Sequence, residues 1–224
     1  VRALLVPLFA LIVAAPAFGA DGEPRKALTG KGQAIAHSIV LKKSDLATGF
    51  VGHPPDTSRP KGARCAAVDE SDLTVTGDAN SPDFSLDAVG VAVGSSASVY
   101  KTARDSNTAW RRAGTSAAVR CFADLVRLSA PKSAALKIVS AKRIGFPQVA
   151  AKAIAYRVVA TMKIGGARTV RAYFDAVLLQ RGSVQATLVV TSLASAVPLE
   201  QERGLAAILS GRMAKAAVPS APVA

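Results

Sequence analysis

Through the last third of the chain apolar residues recur at every second position. In "AIAYRVVATMK", Ile154, Tyr156, Val158, Ala160 and Met162 share one face. In "RTVRAYFDAVLLQ", Val170, Ala172, Phe174, Ala176 and Leu178 do the same, and in "SVQATLVVT" Val184, Ala186, Leu188 and Val190 repeat the pattern. A period of two places alternate side chains on opposite faces of a strand. Gly165-Gly166 and Arg181-Gly182-Ser183 separate the runs and read as hairpin turns. Strands joined by tight turns are antiparallel. "LKIVSAKRIGF" adds a further strand before them, and "LEQERGLAAILSGRMAKA" reads as a closing amphipathic helix.

Upstream the period changes. In "QAIAHSIVLKKSDLATGF", Ile35, Ile39 and Leu46 fall near helical spacing, with Gly49 as a stop. "VGHPPDTSRPKGARC" is rich in proline and glycine and reads as a loop, "LTVTG" as a short strand, and "NSPDFS" as a turn. "AVGVAVGSSASVYK" is a strand whose glycines predict bulges or an edge position. "TARDSNTAWRRAG" and "SAAVRCFADLVRL" form a helical hairpin about Gly114-Thr115, with Ser116 as N-cap. Trp110, Ala117, Cys121, Leu125 and Leu128 mark its inward stripe, which makes Trp110 a core residue. These elements predict an α+β fold over residues 33–216, an antiparallel β-sheet meander with helices flanking its apolar face. Residues 21–32 read as a linker and 217–224 as a disordered tail.

The first twenty residues, "VRALLVPLFALIVAAPAFGA", have the form of a signal peptide: Arg2, an apolar run broken by Pro7, and small residues for cleavage near Gly19 or Ala20. An uncleaved anchor is the competing reading, although the run is short for a bilayer. Export bears on the chain's two cysteines. In an oxidising compartment an isolated pair is expected to be bonded, so Cys65 and Cys121 are expected to form one structural disulfide, the alternative being two unrelated buried thiols. No Cys-x-x-Cys redox pair exists.

Lys and Arg number 28 against 15 Asp and Glu, a formal charge of +13. That excess favours polyanions, and for an exported chain these are acidic envelope polymer or a membrane surface rather than nucleic acid. The alternative is that the charge only maintains solubility. Catalytic signatures are lacking. There are two histidines, His37 and His53, and no Gly-x-Ser-x-Gly elbow, His-Glu-x-x-His pair or P-loop. No cofactor is indicated. The serines of "GSSAS" have no local base. Asp69, Glu70, Asp72, Asp78, Asn80 and Asp83 could offer oxygens to calcium, but their spacing matches no EF-hand and they read as a solvated acidic loop, not a metal site.

Cations concentrate on the meander. Arg157, Lys163 and Arg171 leave the sheet on the side opposite Phe174 and Leu188, interleaved with Val159 and Tyr173. Arg157, Lys163, Arg171 and Tyr173 are therefore the candidate residues for an anionic or amphiphilic ligand. The competing expectation is that N-terminal segments cover this face.

"KKSDLATGF", the proline-rich loop ending in Cys65, "TGDANSPDFS" and "ASVYKTARDSNTAWRRAGTSAAVRC", followed by the meander, resemble actinobacterial extracellular sensor-type domains. These are the sensor domains of mycobacterial serine/threonine kinases and related small lipoproteins. The resemblance runs from Ser38 to Thr191 and implies a Mog1/PsbP-like fold with a ligand-binding cleft. It supplies no binding residues, because the ligands of such domains are largely undefined. This chain departs from them in having no lipid-attachment cysteine and no kinase domain. Three functions stay open: a non-catalytic envelope binding domain, an envelope hydrolase or accessory factor with an unrecognised site, and a basic protein adhering to acidic polymer or anionic lipid.

Overall fold

The computed structural model describes residues 22–55, 65–130, 134–164 and 168–216. The stretch expected as a signal peptide, the expected tail, the expected Gly165-Gly166 turn and part of the proline-rich loop lie outside these residues. The strands are β1 (Arg25–Lys26), β2 (Val51–His53), β3 (Thr74–Asn80), β4 (Asp83–Leu86), β5 (Val91–Tyr100), β6 (Lys137–Ile144), β7 (Lys152–Ile164), β8 (Arg168–Arg181) and β9 (Val184–Leu193). The helices are α1 (Gly30–Ile39), α2 (Ala103–Ala113), α3 (Ser116–Ser129) and α4 (Leu199–Ala216). The sheet runs β1-β3-β5-β9-β8-β7-β6, with β4 also on β5 and β2 on β4. Apart from the parallel β1–β3 contact its pairs are antiparallel. The class is α+β, with β9 to β6 forming the meander.

Helices cover both faces. The even positions of β7 and β8, among them Tyr156, Val158, Phe174 and Leu178, pack against Val119, Phe122 and Val126 of α3. The other face, with Ala155, Val177, Leu179, Leu188 and Val190, packs under Ala36 and Ile39 of α1 and Ala206, Leu209 and Met213 of α4. Leu188 therefore lies opposite Phe174, against expectation. The two-residue turn Gly182-Ser183 pairs Arg181 with Val184, so even positions of β9 face odd positions of β8, and Leu188 sits across from Val177.

The stretch expected as a linker is docked instead. β1 pairs with β3, and α1 begins at Gly30 with the Thr29 hydroxyl accepting from Gly32 N at 3.0 Å. α1 crosses β3 where a Cβ on Gly77 would stand 2.1 Å from Gly32 O, so both positions need glycine. β5 is not an edge strand. It lies between β3 and β4 on one side and β9 on the other, and its small residues let α1 approach. Within "NSPDFS", Asp83 to Ser85 belong to β4.

The helical hairpin forms as expected but is rotated from the expected stripe. α3 buries Ala118, Val119, Phe122 and Val126, while Leu128 is 37% exposed and Cys121 sits on the flank. α2 buries Ser106, Ala109 and Ala113, leaving Trp110 half-buried with Lys152 Nζ 6.0 Å from its ring centre. Small residues on α2 bring it close to the sheet, and the larger Trp110 fits only at the margin. The α3 cap is Thr115, whose hydroxyl accepts from Ala118 N at 3.2 Å, and not Ser116.

Candidate functional site

Cys65 and Cys121 are bonded, with Cα atoms 5.6 Å apart. The bridge ties the acidic loop to the flank of α3. That loop is committed to internal contacts. Arg112 of α2 grips Asp72 through two hydrogen bonds of 2.6 and 2.8 Å and also donates to Asp69 O. Hydrogen bonding to Arg112 holds the Asp72 carboxyl below its usual range. Glu70 is buried and accepts from the Tyr100 hydroxyl at 2.7 Å. Desolvation pushes Glu70 up to about 7, the Tyr100 bond opposing the rise, and burial pushes Tyr100 well above its ordinary value. Asp78 pairs with Lys26 at 2.9 Å. Among the described residues no cluster of metal-ligating side chains forms.

The serines behave structurally. Ser95 is buried, and its hydroxyl accepts from Leu41 N at 2.8 Å. Ser85 Oγ lies 3.3 Å from His53 Nε2, but Ser85 is buried beneath an exposed His53. The imidazole therefore covers the hydroxyl and does not present it to a substrate. His37 is exposed on α1.

The four candidate residues of the meander share a face but do not form one site. Arg157 stands directly across from Asp175 and donates to it from Nε and Nη2, both at 2.7 Å. α4 closes over this pair and adds Glu202, whose Oε1 is 3.5 Å from Arg157 Nη2. The hydrogen bonds to Asp175 raise Arg157 further above its ordinary value. Glu202 is fully buried and no donor reaches either of its oxygens, so its carboxyl can only donate, to the Asp175 carboxylate beside it. Desolvation first, then the Asp175 carboxylate beside it, pushes Glu202 up to about 9, so it carries a proton at neutral pH. Arg157 is thus neutralised internally, and the helix that covers it is the C-terminal one. Tyr173 is half-buried, whereas Arg171 and Lys163 are exposed. Six residues of β7, roughly 20 Å at strand rise, separate Arg157 from Lys163.

A concave site lies on the other face of the sheet. A cleft of about 360 Å³ opens between the first turn of α3 and strands β6 and β7, lined by Gly114, Thr115, Ser116, Val119, Arg120, Ala141, Lys142, Arg143 and Tyr156. Pairing of Arg143 with Tyr156 and of Ala141 with Val158 puts Arg143 and Ala141 on the α3 side of β6, while Lys142 leaves on the opposite side. The cleft therefore has an apolar wall of Val119, Ala141 and the Tyr156 ring, and two guanidinium groups, Arg120 and Arg143. The Tyr156 hydroxyl is occupied, donating to Ala113 O. Burial raises Tyr156, and the charge of Arg143 opposes that rise, which places the guanidinium within electrostatic reach of the ring. Among the described residues neither Arg120 nor Arg143 pairs with a carboxylate. Both are exposed at the mouth.

No family model matches the chain, and no curated protein matches it. Among solved structures, the extracellular domain of PknH from Mycobacterium tuberculosis is similar, with 10% identity and a TM-score of 0.41, over 81% of this chain and 96% of that one.

Proposed function

We propose that the chain is an extracytoplasmic binding domain that holds an anionic ligand with an apolar portion, without turnover, in the cleft between α3 and β6. The observation that carries this reading is the pairing of two unneutralised guanidinium groups, Arg120 and Arg143, with a wall of Val119, Ala141 and Tyr156. Guanidinium forks suit a phosphate or carboxylate head, and the wall suits an aliphatic stem. The disulfide and the sequence's resemblance to extracellular sensor domains support placement outside the cytoplasm. No helix among the described residues is long and apolar enough to cross a membrane.

Titration of the protein with dodecyl phosphate, followed by backbone amide NMR, tests the site. Shifts are expected at residues 115–119 and 141–143, lost in the Arg120→Gln/Arg143→Gln variant and weakened by salt. Shifts that map elsewhere, or survive in the variant, overturn the assignment.

Lys163 and Arg171, with Arg168 beside them toward the end where β7 runs into β8, are exposed. We assign them the contact with acidic polymer or anionic headgroups that the excess charge implies. Arg157 has no part in it.

A further inference from the structure

A second cleft, of about 610 Å³, lies on the α1–α4 side of the sheet and shares no residue with the first. Three segments distant in sequence each bring one cation to it: Lys31 from α1, Lys101 just after β5, and Arg181 from the end of β8. We infer that this cleft is an independent site for a multiply charged phosphate.

The charges there are not balanced from within. Among the described residues no carboxylate lines the cleft. The acids of this corner are already engaged, Asp78 by Lys26 at 2.9 Å and Glu70 by the Tyr100 hydroxyl at 2.7 Å. Among the described residues Lys31, Lys101 and Arg181 have no ion pair. Arg181 closes β8 at a position that strand alternation from Asp175 puts on the α1–α4 face. Its Nε is shielded from solvent yet donates to no acceptor. A charged donor withdrawn from water without a partner is unfavourable, so the fold holds this guanidinium in place without satisfying it. The floor beneath is ordered and buried, formed by Val99, Tyr100 and Val184.

Three cations converging on one concavity repel one another, and a ligand bearing several negative oxygens relieves all three together. A phosphate with two or more charges offers acceptors to the arginine fork and to both ammonium groups. A monocarboxylate can neutralise only one. Soluble phosphate oxyanions and phosphorylated lipid headgroups share this chemistry.

The test uses inorganic tripolyphosphate and reads the side-chain Nε–Hε signal of Arg181 by NMR, a readout that bulk charge attraction does not move. The signal should shift saturably, and Arg181→Gln/Lys101→Gln should weaken binding roughly tenfold or more while melting as wild type does. Arg181→Lys, which keeps the charge and loses the fork, should lie between. Arg120→Gln/Arg143→Gln should leave this site unchanged, which separates it from the α3–β6 cleft. An unmoved Arg181 signal at saturating tripolyphosphate overturns the inference. So does a Lys163→Gln/Arg168→Gln control that weakens binding as much as the cleft variant. Vesicles containing phosphatidic acid, whose phosphomonoester carries more than one charge, then distinguish the sources: displacement of tripolyphosphate assigns the site to headgroups, and coexistence assigns it to soluble phosphate.

Discussion

Replacing Glu202 by glutamine should stabilise the protein at neutral pH, although it alters a fully buried side chain. In the folded state Glu202 projects from the buried side of α4 beside Asp175, and its carboxyl is pushed up to about 9 from 4.5, chiefly by desolvation. Asp175 holds the Arg157 fork at 2.7 Å, so the shared proton resides on Glu202. Folding at pH 7 therefore takes up a proton that the unfolded chain does not bind. A group whose folded pKa is raised contributes its full stability below the unfolded value. That contribution is lost as pH climbs from 4.5 through about 9. At pH 7 the loss is about 3 kcal/mol, from some 1.4 kcal/mol per unit over the interval above 4.5. Glutamine is neutral at every pH, fills the same volume and can donate to Asp175. Glu202→Gln should match the wild type near pH 4 and exceed it by roughly 3 kcal/mol at pH 7, a melting rise of order 6–12 °C. Denaturant unfolding from pH 4 to 9 with the disulfide intact measures the difference curve. Glu70 also titrates in this range, but it is common to both proteins and cancels. Parallel pH curves, or a glutamine variant less stable at pH 8, would refute a protonated Glu202.

Tyr100→Phe removes the donor that satisfies buried Glu70. It should cost about 1–3 kcal/mol at pH 7 and push Glu70 above its present value of about 7, so that the pH-dependent loss of stability extends to higher pH in a denaturant series. Gly77→Ala places a methyl 2.1 Å from Gly32 O, and calorimetry should show more than about 3 kcal/mol of destabilisation as α1 is forced off β3. Replacing Cys65 and Cys121 together by alanine opens a bridge of sequence separation 56 and should cost about 4 kcal/mol in denaturant unfolding. Lys163→Glu/Arg171→Glu should abolish retention on anionic vesicles with the melting point unchanged, and unaltered retention would remove the hairpin from any surface contact.

The meander and α4 were legible because their signal is local: period-two runs separated by glycine turns, and a long helical stretch. Which residues share a face was less so. The pairing Arg181 to Val184 inverts the parity of β9 relative to β8, and only the turn geometry reveals it. The docking of residues 22–32 escaped composition because its cause is a remote contact, Gly32 against Gly77. The inward stripe of α3 lies one position beyond the one that apolar spacing predicts, with Ala118, Phe122 and Val126 inside, and the bond to Cys65 holds Cys121 on the flank. Arg157 was recognisable as a residue needing an anion, but the second carboxylate comes from α4, 45 residues further along, and no strand pattern could supply it. The α3–β6 cleft left no pattern at all. Arg120 and Arg143 stand on a helix and a strand whose separate periodicities do not show that they face one cavity.

Native mass spectrometry of the protein purified from its own host tests the central claim most directly. The wild type should retain an anionic amphiphile that is released by high salt and absent from Arg120→Gln/Arg143→Gln purified in parallel. A bare wild-type protein that also fails to take up dodecyl phosphate, or an identical bound molecule in both proteins, would contradict a binding site between α3 and β6.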